Sequence, residues 1–206
     1  MSDPLQGAAE PIGVVLAGGL GRRVGGSKAT LQLCGRPLIS YPLRALAGAL
    51  EQVAVLAKPD TELPHLPGVS VWIEPAEPRH PLVGIVCALR RARGRSVLVC
   101  AADLPFVTPA LIRAITRADP GDGAAVVAAA GGAAQPLLGC YRPGAAGLLA
   151  DAARRAELPL REAVHLIGAR ALEVEDAEAL FNVNTPGDLR RAAAILERRA
   201  QPNVKS

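Results

Sequence analysis

The sequence predicts an α/β protein with a mostly parallel central sheet that helices cover on both faces. Short valine-rich apolar runs alternate along the chain with stretches of helical spacing, and strands that alternate with helices form parallel sheets. Half of the residues are hydrophobic but only 2% are aromatic, so alanine, valine, leucine and isoleucine must build the core. With 206 residues, the chain is expected to form one domain, residues 1–206, with its core at about residues 12–200.

The first half of the chain alternates most clearly. A buried strand at residues 12–17 precedes a glycine-rich loop, and Pro37 is expected in the first turn of the next helix, where no N–H is needed. The predicted elements after the loop are helix 37–50, strands 52–57 and 69–73, helix 82–91, strand 96–101 and helix 110–117.

The second half is less regular but continues with strands and helices. Thr185 is placed to cap the last helix, because its side chain can accept from the free backbone N–H groups of a helix start. The predicted elements are strands 124–130 and 137–141, helices 144–156 and 160–167, strand 170–174 and helix 186–199.

Composition excludes several classes of protein. No run reaches the roughly 18 apolar residues that span a bilayer, and the N-terminus lacks the basic start and apolar core of a signal peptide. A cytoplasmic protein without membrane contact is therefore expected. The four cysteines form no C-x-x-C pair and are expected to be small buried hydrophobic side chains rather than zinc ligands.

The net charge of +4 suits an anionic ligand. Clusters of arginine would also suit a nucleic acid, but they fall near predicted helix ends, where solvated basic side chains are common. Aromatic side chains that could stack on bases are nearly absent, so no nucleic-acid partner is expected.

Residues 16–29 form the most informative segment of the sequence. Five glycines, two arginines and Lys28 lie within residues 18–28. Glycine turns present backbone N–H groups and basic side chains bind phosphate oxygens, so the segment suits a polyphosphate. Two better-known phosphate loops do not fit, because Val24 replaces the third glycine of the dinucleotide motif and Ser27 displaces the P-loop lysine by one residue. The alternative is a glycine-rich turn without a ligand.

Two further polar segments fall at predicted strand ends, where ligands of such folds bind. Asp103 follows strand 96–101 and suits Mg²⁺, which prefers one or two carboxylates together with phosphate oxygens; the alternative is a turn or capping aspartate. Asn182 and Asn184 alternate across Val183, so both side chains would point the same way in an extended segment. The alternative for the two asparagines is a turn before the last helix.

These segments together suit nucleotidyl transfer. An acceptor phosphate would attack the α-phosphorus of a nucleoside triphosphate and pyrophosphate would leave, while the protein supplies position and charge. Lys28 and Arg23 would neutralise the pyrophosphate, and Asp103 would hold Mg²⁺.

Six short motifs follow one another between about residue 12 and residue 196. They are Leu16-Ala-Gly-Gly with Arg23, Gly25-Gly26 and Lys28; Gly35-Arg-Pro-Leu; Pro81-Leu-Val-Gly-Ile; Asp103-Leu-Pro-Phe-Val-Thr-Pro; Gln135-Pro-Leu with Tyr141; and Asn182-Val-Asn-Thr-Pro-Gly-Asp-Leu. In this order they resemble the molybdenum cofactor guanylyltransferases. The resemblance implies a Rossmann-like three-layer nucleotidyltransferase fold and Mg²⁺-dependent transfer of GMP from GTP to the phosphate of molybdopterin or of its molybdenum form. It also implies transient contact with enzymes that deliver the cofactor or accept the product.

The resemblance assigns roles to individual residues. It implies that Asp103 binds the metal and that Lys28 and Arg23 contact the phosphates. The residues it implies for nucleotide contact are Leu16, Ala17, Gly18, Gly19 and Gly21, and those for the acceptor are Asn182, Asn184 and Gln135.

Several positions depart from the family pattern. Ser27 stands where the family has aspartate, and His80 begins a His-Pro-Leu-Val-Gly where the family has Gly-Pro-Leu-Ala-Gly. Lys58 replaces an asparagine and Glu77 an aspartate on the guanine side of the pocket, and both are expected to contact the nucleotide. Two alternatives therefore stay open: a related nucleotidyltransferase that uses CTP or another phosphorylated acceptor such as a phospholactate, and a non-catalytic nucleotide-binding protein.

Overall fold

The protein is described by a computed structural model that covers residues 9–18, 28–154 and 158–200. Its strands are β1 (Ile12–Leu16), β2 (Gln32–Leu33), β3 (Arg36–Pro37), β4 (Val53–Ala57), β5 (Ser70–Ile73), β6 (Val97–Ala101), β7 (Ala125–Ala130), β8 (Ala133–Tyr141) and β9 (Arg170–Glu173). Its α-helices are α1 (Ser40–Ala47), α2 (Pro81–Arg91), α3 (Pro109–Arg117), α4 (Ala145–Arg154), α5 (Leu160–Leu166) and α6 (Pro186–Ala200). Two 3-10 helices span Lys28–Thr30 and Ala177–Leu180. Within these residues, no helix has the length and apolar character needed to cross a membrane.

Seven of the described strands form one sheet in the order β5-β4-β1-β6-β8-β7-β9. Neighbouring strands pair in parallel, except that β8 runs antiparallel to both β6 and β7. The predicted α/β fold with a mostly parallel sheet is therefore confirmed. Because β1, β4, β5 and β6 run in the same direction, the residues that follow them meet at one edge of the sheet.

Helices cover both faces of the sheet, because the apolar side chains of each buried strand alternate between the faces. The cluster on one face includes Val14, Val99, Ile85 of α2 and Leu149 of α4. The cluster on the other face includes Val15, Leu98, Leu46 of α1 and Ile112 of α3. Aliphatic side chains thus fill both layers, as the composition requires.

A third apolar cluster joins α6 to the β2–β3 hairpin and to the turn after β6. It contains Leu33, Phe106, Val183 and Ile195. Val183 is fully buried, and its backbone N–H donates to the carbonyl of Asp103 at 3.0 Å. This packing places the polar residues on either side of Val183 near the turn that contains Asp103.

The predicted starts of two elements are wrong by several residues, and a tight turn explains each of these two errors. Residues Arg36–Pro37 pair with β2, so α1 begins at Ser40 instead of Pro37. Cys34 and Gly35 have φ angles of 47° and 74°, which is the geometry of a two-residue hairpin turn. Similarly, β8 begins at Ala133 rather than at 137, because Gly131 and Gly132, with φ of 56° and 76°, make a second such turn.

The prediction that all four cysteines are buried is wrong for Cys34. That residue is exposed in the β2–β3 turn, whereas Cys100 is fully enclosed and Cys87 and Cys140 are half-buried. Burial raises the pKa of Cys140 to about 12, so its thiol stays protonated at neutral pH. All four cysteines are free thiols.

Candidate active site

A cavity of about 270 Å³ lies at the edge of the sheet where β1, β4, β5 and β6 end. Its wall is built by residues at the ends of these strands, which are Leu16, Ala17 and Gly18 for β1, Lys58 for β4, Glu74 for β5, and Ala102 and Asp103 for β6. The remaining polar wall comes from Lys28, Arg79 and His80. The cavity therefore has the position that ligands occupy in open α/β sheets.

Lys28, Asp103 and Asn184 form a polar cluster at one end of the cavity. The ammonium Nζ of Lys28 donates to Oδ2 of Asp103 at 2.7 Å and to Oδ1 of Asn184 at 2.5 Å. The side chains of Lys28 and Asp103 are 18% and 15% exposed, so the pair is shielded from solvent but still accessible from the cavity. Three segments that are distant in sequence thus meet at one point.

Each member of the cluster is fixed by local structure. Asp103 follows the fully buried strand β6, and Lys28 begins the 3-10 helix Lys28–Thr30. Asn184 precedes the start of α6, where Thr185 Oγ1 accepts from the N–H of Asp188 and Asp188 Oδ2 accepts in return from the N–H of Thr185. This is a capping box, and it confirms the predicted cap at Thr185.

The second carboxylate oxygen of Asp103 makes no hydrogen bond within the described part of the chain. Asp103 Oδ1 is buried and has no hydrogen-bond partner among the described residues. A buried anionic oxygen of this kind suits a hard cation, since Mg²⁺ often takes one or two carboxylates and completes its shell with water and phosphate oxygens. The described residues contain no group of three or more His, Cys, Asp or Glu that could hold a metal ion.

A buried ion pair lines the other end of the cavity. Lys58 and Glu74 are only 3% and 6% exposed, and Lys58 Nζ lies 3.6 Å from Glu74 Oε1. Burial raises the pKa of Glu74, and the nearby charge of Lys58 opposes that rise. The other oxygen, Oε2, is buried without a hydrogen-bond partner in the described part of the chain.

A side chain at Gly18 would displace the carboxylate of Glu74, which approaches the backbone of Gly18 closely. A Cβ atom at Gly18 would lie 2.5 Å from Glu74 Oε1 and 3.3 Å from Cγ of Lys58. The end of β1 and the buried ion pair are therefore in direct contact. The absence of a side chain at this position lets the carboxylate reach the cavity wall.

The helix α2 begins beside the cavity. His80 is its N-cap residue, and the ring atom Nδ1 of His80 accepts from the N–H of Leu82 at 3.3 Å. Arg79, just before it, forms ion pairs with Asp60 and Glu77 on the surface.

The structure brings some predicted site residues together and leaves others apart. Leu16, Ala17, Gly18, Lys28, Lys58 and Asp103 line the cavity, and Asn184 contacts Lys28. The amide of Asn182 donates instead to the carbonyl of Leu180, and Gln135 lies within β8 opposite Ala128. Arg23, Gly19 and Gly21 lie outside the described residues.

Glu77 does not line the cavity, and Glu74 stands there instead. The side chain of Glu77 is 71% exposed and pairs with Arg79, whereas Glu74 follows β5 directly. The signal that could have found Glu74 is the one that found Asp103, namely a carboxylate immediately after a strand that ends at the same edge of the sheet.

The sheet edge, the cavity and the lysine–aspartate pair define an α/β protein with a polar cavity at the carboxyl ends of its parallel strands. A family model described as MobA-like NTP transferase domain matches residues 13–171. The chain therefore belongs to the MobA-like family of nucleotidyltransferases.

Curated relatives are similar over nearly their whole length. A protein of Cereibacter sphaeroides named molybdenum cofactor guanylyltransferase is 36% identical over 91% of this chain and 98% of its own. A protein of Bacillus licheniformis named probable molybdenum cofactor guanylyltransferase is 33% identical over 86% of this chain and 94% of its own.

Solved structures agree on the fold. Molybdopterin-guanine dinucleotide biosynthesis protein A from Archaeoglobus fulgidus superposes with a TM-score of 0.76 at 26% identity, covering 90% of this chain and 98% of that one. A cytidylyltransferase acting on 2-C-methyl-D-erythritol 4-phosphate, from Thermus thermophilus, gives a TM-score of 0.67 at 24% identity over 91% of this chain and 99% of that one. Proteins named for guanine and for cytosine nucleotides thus share this architecture, so the fold alone does not select the base.

Proposed function

We propose that this protein transfers GMP from GTP to the phosphate of molybdopterin, or of its molybdenum form, and releases pyrophosphate. The observation that carries the proposal is the cluster of Lys28, Asp103 and Asn184 at the end of the cavity, with Asp103 Oδ1 buried and unpaired among the described residues. The names of relatives that are 30–36% identical over most of the chain support the choice of substrates.

The reaction needs position and charge rather than a covalent intermediate. An oxygen of the acceptor phosphate attacks the α-phosphorus, the bond from that phosphorus to the bridging oxygen breaks, and pyrophosphate leaves with the electron pair. Lys28 places a positive charge next to the phosphates and offsets the charge that develops on the leaving group. Arg23 is expected to assist it.

Asp103 would hold Mg²⁺ through Oδ1, while Oδ2 keeps its bond to Lys28. The bound cation would supply charge neutralisation at the phosphate oxygens. Asp103 therefore links the lysine and the phosphates through its two carboxylate oxygens.

The opposite end of the cavity suits the base. Leu16 and Ala17 form part of the wall, and Oε2 of Glu74 is an acceptor without a partner in the described residues. Guanine presents two N–H donors on one edge, so a carboxylate acceptor favours it. Lys58 contributes through Glu74, and direct nucleotide contact by Lys58 or Glu77 stays a prediction.

The acceptor is expected beside Asn184, whose amide already contacts Lys28. Asn182 and Gln135 are proposed to extend this acceptor side. The free cysteines suit a reducing compartment, so the cytoplasm is the expected place of action, and brief contact with enzymes that deliver or receive the cofactor is expected there.

Product analysis tests the proposal. The protein is incubated with Mg²⁺, molybdopterin and one of the four nucleoside triphosphates, and the products are identified by mass spectrometry. We expect a dinucleotide that joins GMP to the pterin phosphate, formed from GTP in preference to CTP. A dinucleotide formed from CTP alone would refute the assignment of guanine as the base. The absence of any dinucleotide would refute the assignment of molybdopterin as the acceptor.

A further inference from the structure

The ion pair between Lys58 and Glu74 links the ends of two neighbouring strands. Lys58 follows β4 and Glu74 follows β5, and the last residues of these strands, Ala57 and Ile73, are paired in register. Both side chains are more than nine-tenths buried. A buried pair of this kind gains stability only when its remaining donors and acceptors are satisfied.

The ammonium group of Lys58 finds its hydrogen-bond acceptors on the loop that follows β5. An ammonium group has three donors and no acceptor. The Nζ of Lys58 donates to the carbonyl of Pro75 at 2.7 Å and lies 3.5 Å from that of Pro78, and its third neighbour is Oε1 of Glu74 at 3.6 Å. Lys58 thus holds the loop after β5 in place along with the carboxylate.

Glu74 is left with one oxygen that faces no protein donor. Its Oε2 is buried and has no hydrogen-bond partner among the described residues, and it lies 3.4 Å from the position that a Cβ on Gly84 would take. Leaving a buried charged acceptor unpaired is costly. An N–H group from a ligand in the cavity would remove that cost.

We propose that Lys58 is a positioning residue for base selection, because it fixes Glu74 so that Oε2 alone is presented to N–H donors of the base. This inference rests on the proposed function and deepens it. The edge of guanine with N1–H and the 2-amino group offers donors to Oε2. Adenine presents an unprotonated N1 there, and cytosine presents N3 and O2, so both would meet the carboxylate with lone pairs.

The charge of Lys58 also matters for the protonation of Glu74. The ionisable groups that face this carboxylate are Lys58, Arg79 and Cys87. Burial raises the pKa of Glu74. Lys58 and Arg79 both oppose this rise, and Lys58 has the larger effect. Without Lys58 the carboxyl would take up a proton at higher pH, and a protonated carboxyl can donate to N1 of adenine.

Equilibrium binding of GTP and ATP to the full chain tests the inference. The variants are Lys58→Met, Glu74→Gln, and the two combined. Arg113→Met is the matched control, because Arg113 binds the carbonyl of Gly48 on the surface and lies outside the cavity. We expect Lys58→Met to lower the preference for GTP over ATP by about 10- to 100-fold. This is the size of effect expected when the charged hydrogen bond between Glu74 and the base is lost. The remaining preference of Lys58→Met should fall further as the pH is lowered.

The combined variant gives the sharpest test, because substitutions at residues that act together do not have additive effects on binding. We expect the combined variant to bind GTP no more weakly than Glu74→Gln alone binds it. An unchanged GTP preference in Lys58→Met, or fully additive losses in the combined variant, would overturn this inference while the proposed function stands. Equal binding of GTP and ATP by the unmodified chain would overturn the guanine assignment and this inference together. Thermal unfolding verifies folding, and if Lys58→Met does not fold, Lys58→Asn is judged by the same criteria.

Discussion

Lys28 and Asp103 are 75 positions apart in the chain, yet the ammonium of Lys28 lies 2.7 Å from Oδ2 of Asp103. The contact joins the segment that follows the glycine-rich loop to the turn after β6. Asn184, from the start of α6, completes it through a bond from the same ammonium. The cluster exists because three strand or helix ends converge on one edge of the sheet, and it leaves Asp103 Oδ1 without a hydrogen-bond partner among the described residues.

Gly18→Ala should weaken nucleotide binding more than it weakens the fold. The added Cβ would lie 2.5 Å from Oε1 of Glu74, so the carboxylate must move away from its place at the cavity wall. We expect the KM for GTP to rise about 10-fold, with a loss of stability of at most about 1–3 kcal/mol.

The control for that variant is Gly147→Ala. Gly147 lies in α4, and a Cβ atom added there would have no other atom within 4 Å among those described. Alanine is the better helix former, so this variant should be slightly more stable and keep its KM. Steady-state kinetics and thermal unfolding measure both quantities. An unchanged KM in Gly18→Ala would show that Glu74 does not contact the nucleotide.

Thr185→Ala should reduce both stability and turnover. It removes the cap that accepts from Asp188 at 3.1 Å, which costs about 1 kcal/mol, and it loosens the turn that holds Asn184 against Lys28. Thr108→Ala is the matched control, because Thr108 caps α3 through the N–H of Leu111 at 3.2 Å. The two variants should lose similar stability, measured by denaturant unfolding, but Thr185→Ala alone should lose kcat. Equal kcat values would argue against a role for Asn184.

The raised pKa of Glu74 predicts a pH dependence of stability. Burial raises this pKa above the ordinary value of 4.5, so the folded state binds a proton that the unfolded state releases as the pH rises above that value. Stability associated with Glu74 is therefore fully present below pH 4.5 and is lost as the pH rises through the folded-state pKa.

Unfolding of the unmodified chain and of Glu74→Gln across this range measures the effect. The free energy of unfolding of the unmodified chain should fall relative to that of Glu74→Gln as the pH rises above about 4.5, and then become level. A difference that stays constant across the range, or that changes in the opposite direction, would contradict the burial of this carboxyl.

The sequence predicts the parts of the site that follow strands of clear pattern. Asp103 is predictable because the apolar run of residues 97–102 precedes it, and Lys28 is predictable because glycines and cations surround it. The capping residue Thr185 was found because capping depends on neighbours three residues away. These signals are local, and local signals can be found without a structure.

The parts that sequence reasoning missed depend on contacts between distant segments. Glu74 and Glu77 lie three residues apart, and Glu74 is the one that lines the cavity and pairs with Lys58 at the end of the neighbouring strand. Pro37 suits the first turn of a helix, but the turn at Cys34 and Gly35 places it in a hairpin instead. That hairpin packs under α6 in the third apolar cluster, a contact no local pattern indicates.

We propose that Asp103 and Lys28 carry nucleotidyl transfer, and the rate of pyrophosphate release measures their contribution. The assay contains GTP, molybdopterin and Mg²⁺, and it compares the unmodified chain with Asp103→Asn, Lys28→Met and the surface control Arg113→Met. We expect each site variant to lose about 100- to 1,000-fold in kcat with unchanged thermal unfolding, while the control retains full activity. Turnover in Asp103→Asn or Lys28→Met at the rate of the unmodified chain would contradict the claim.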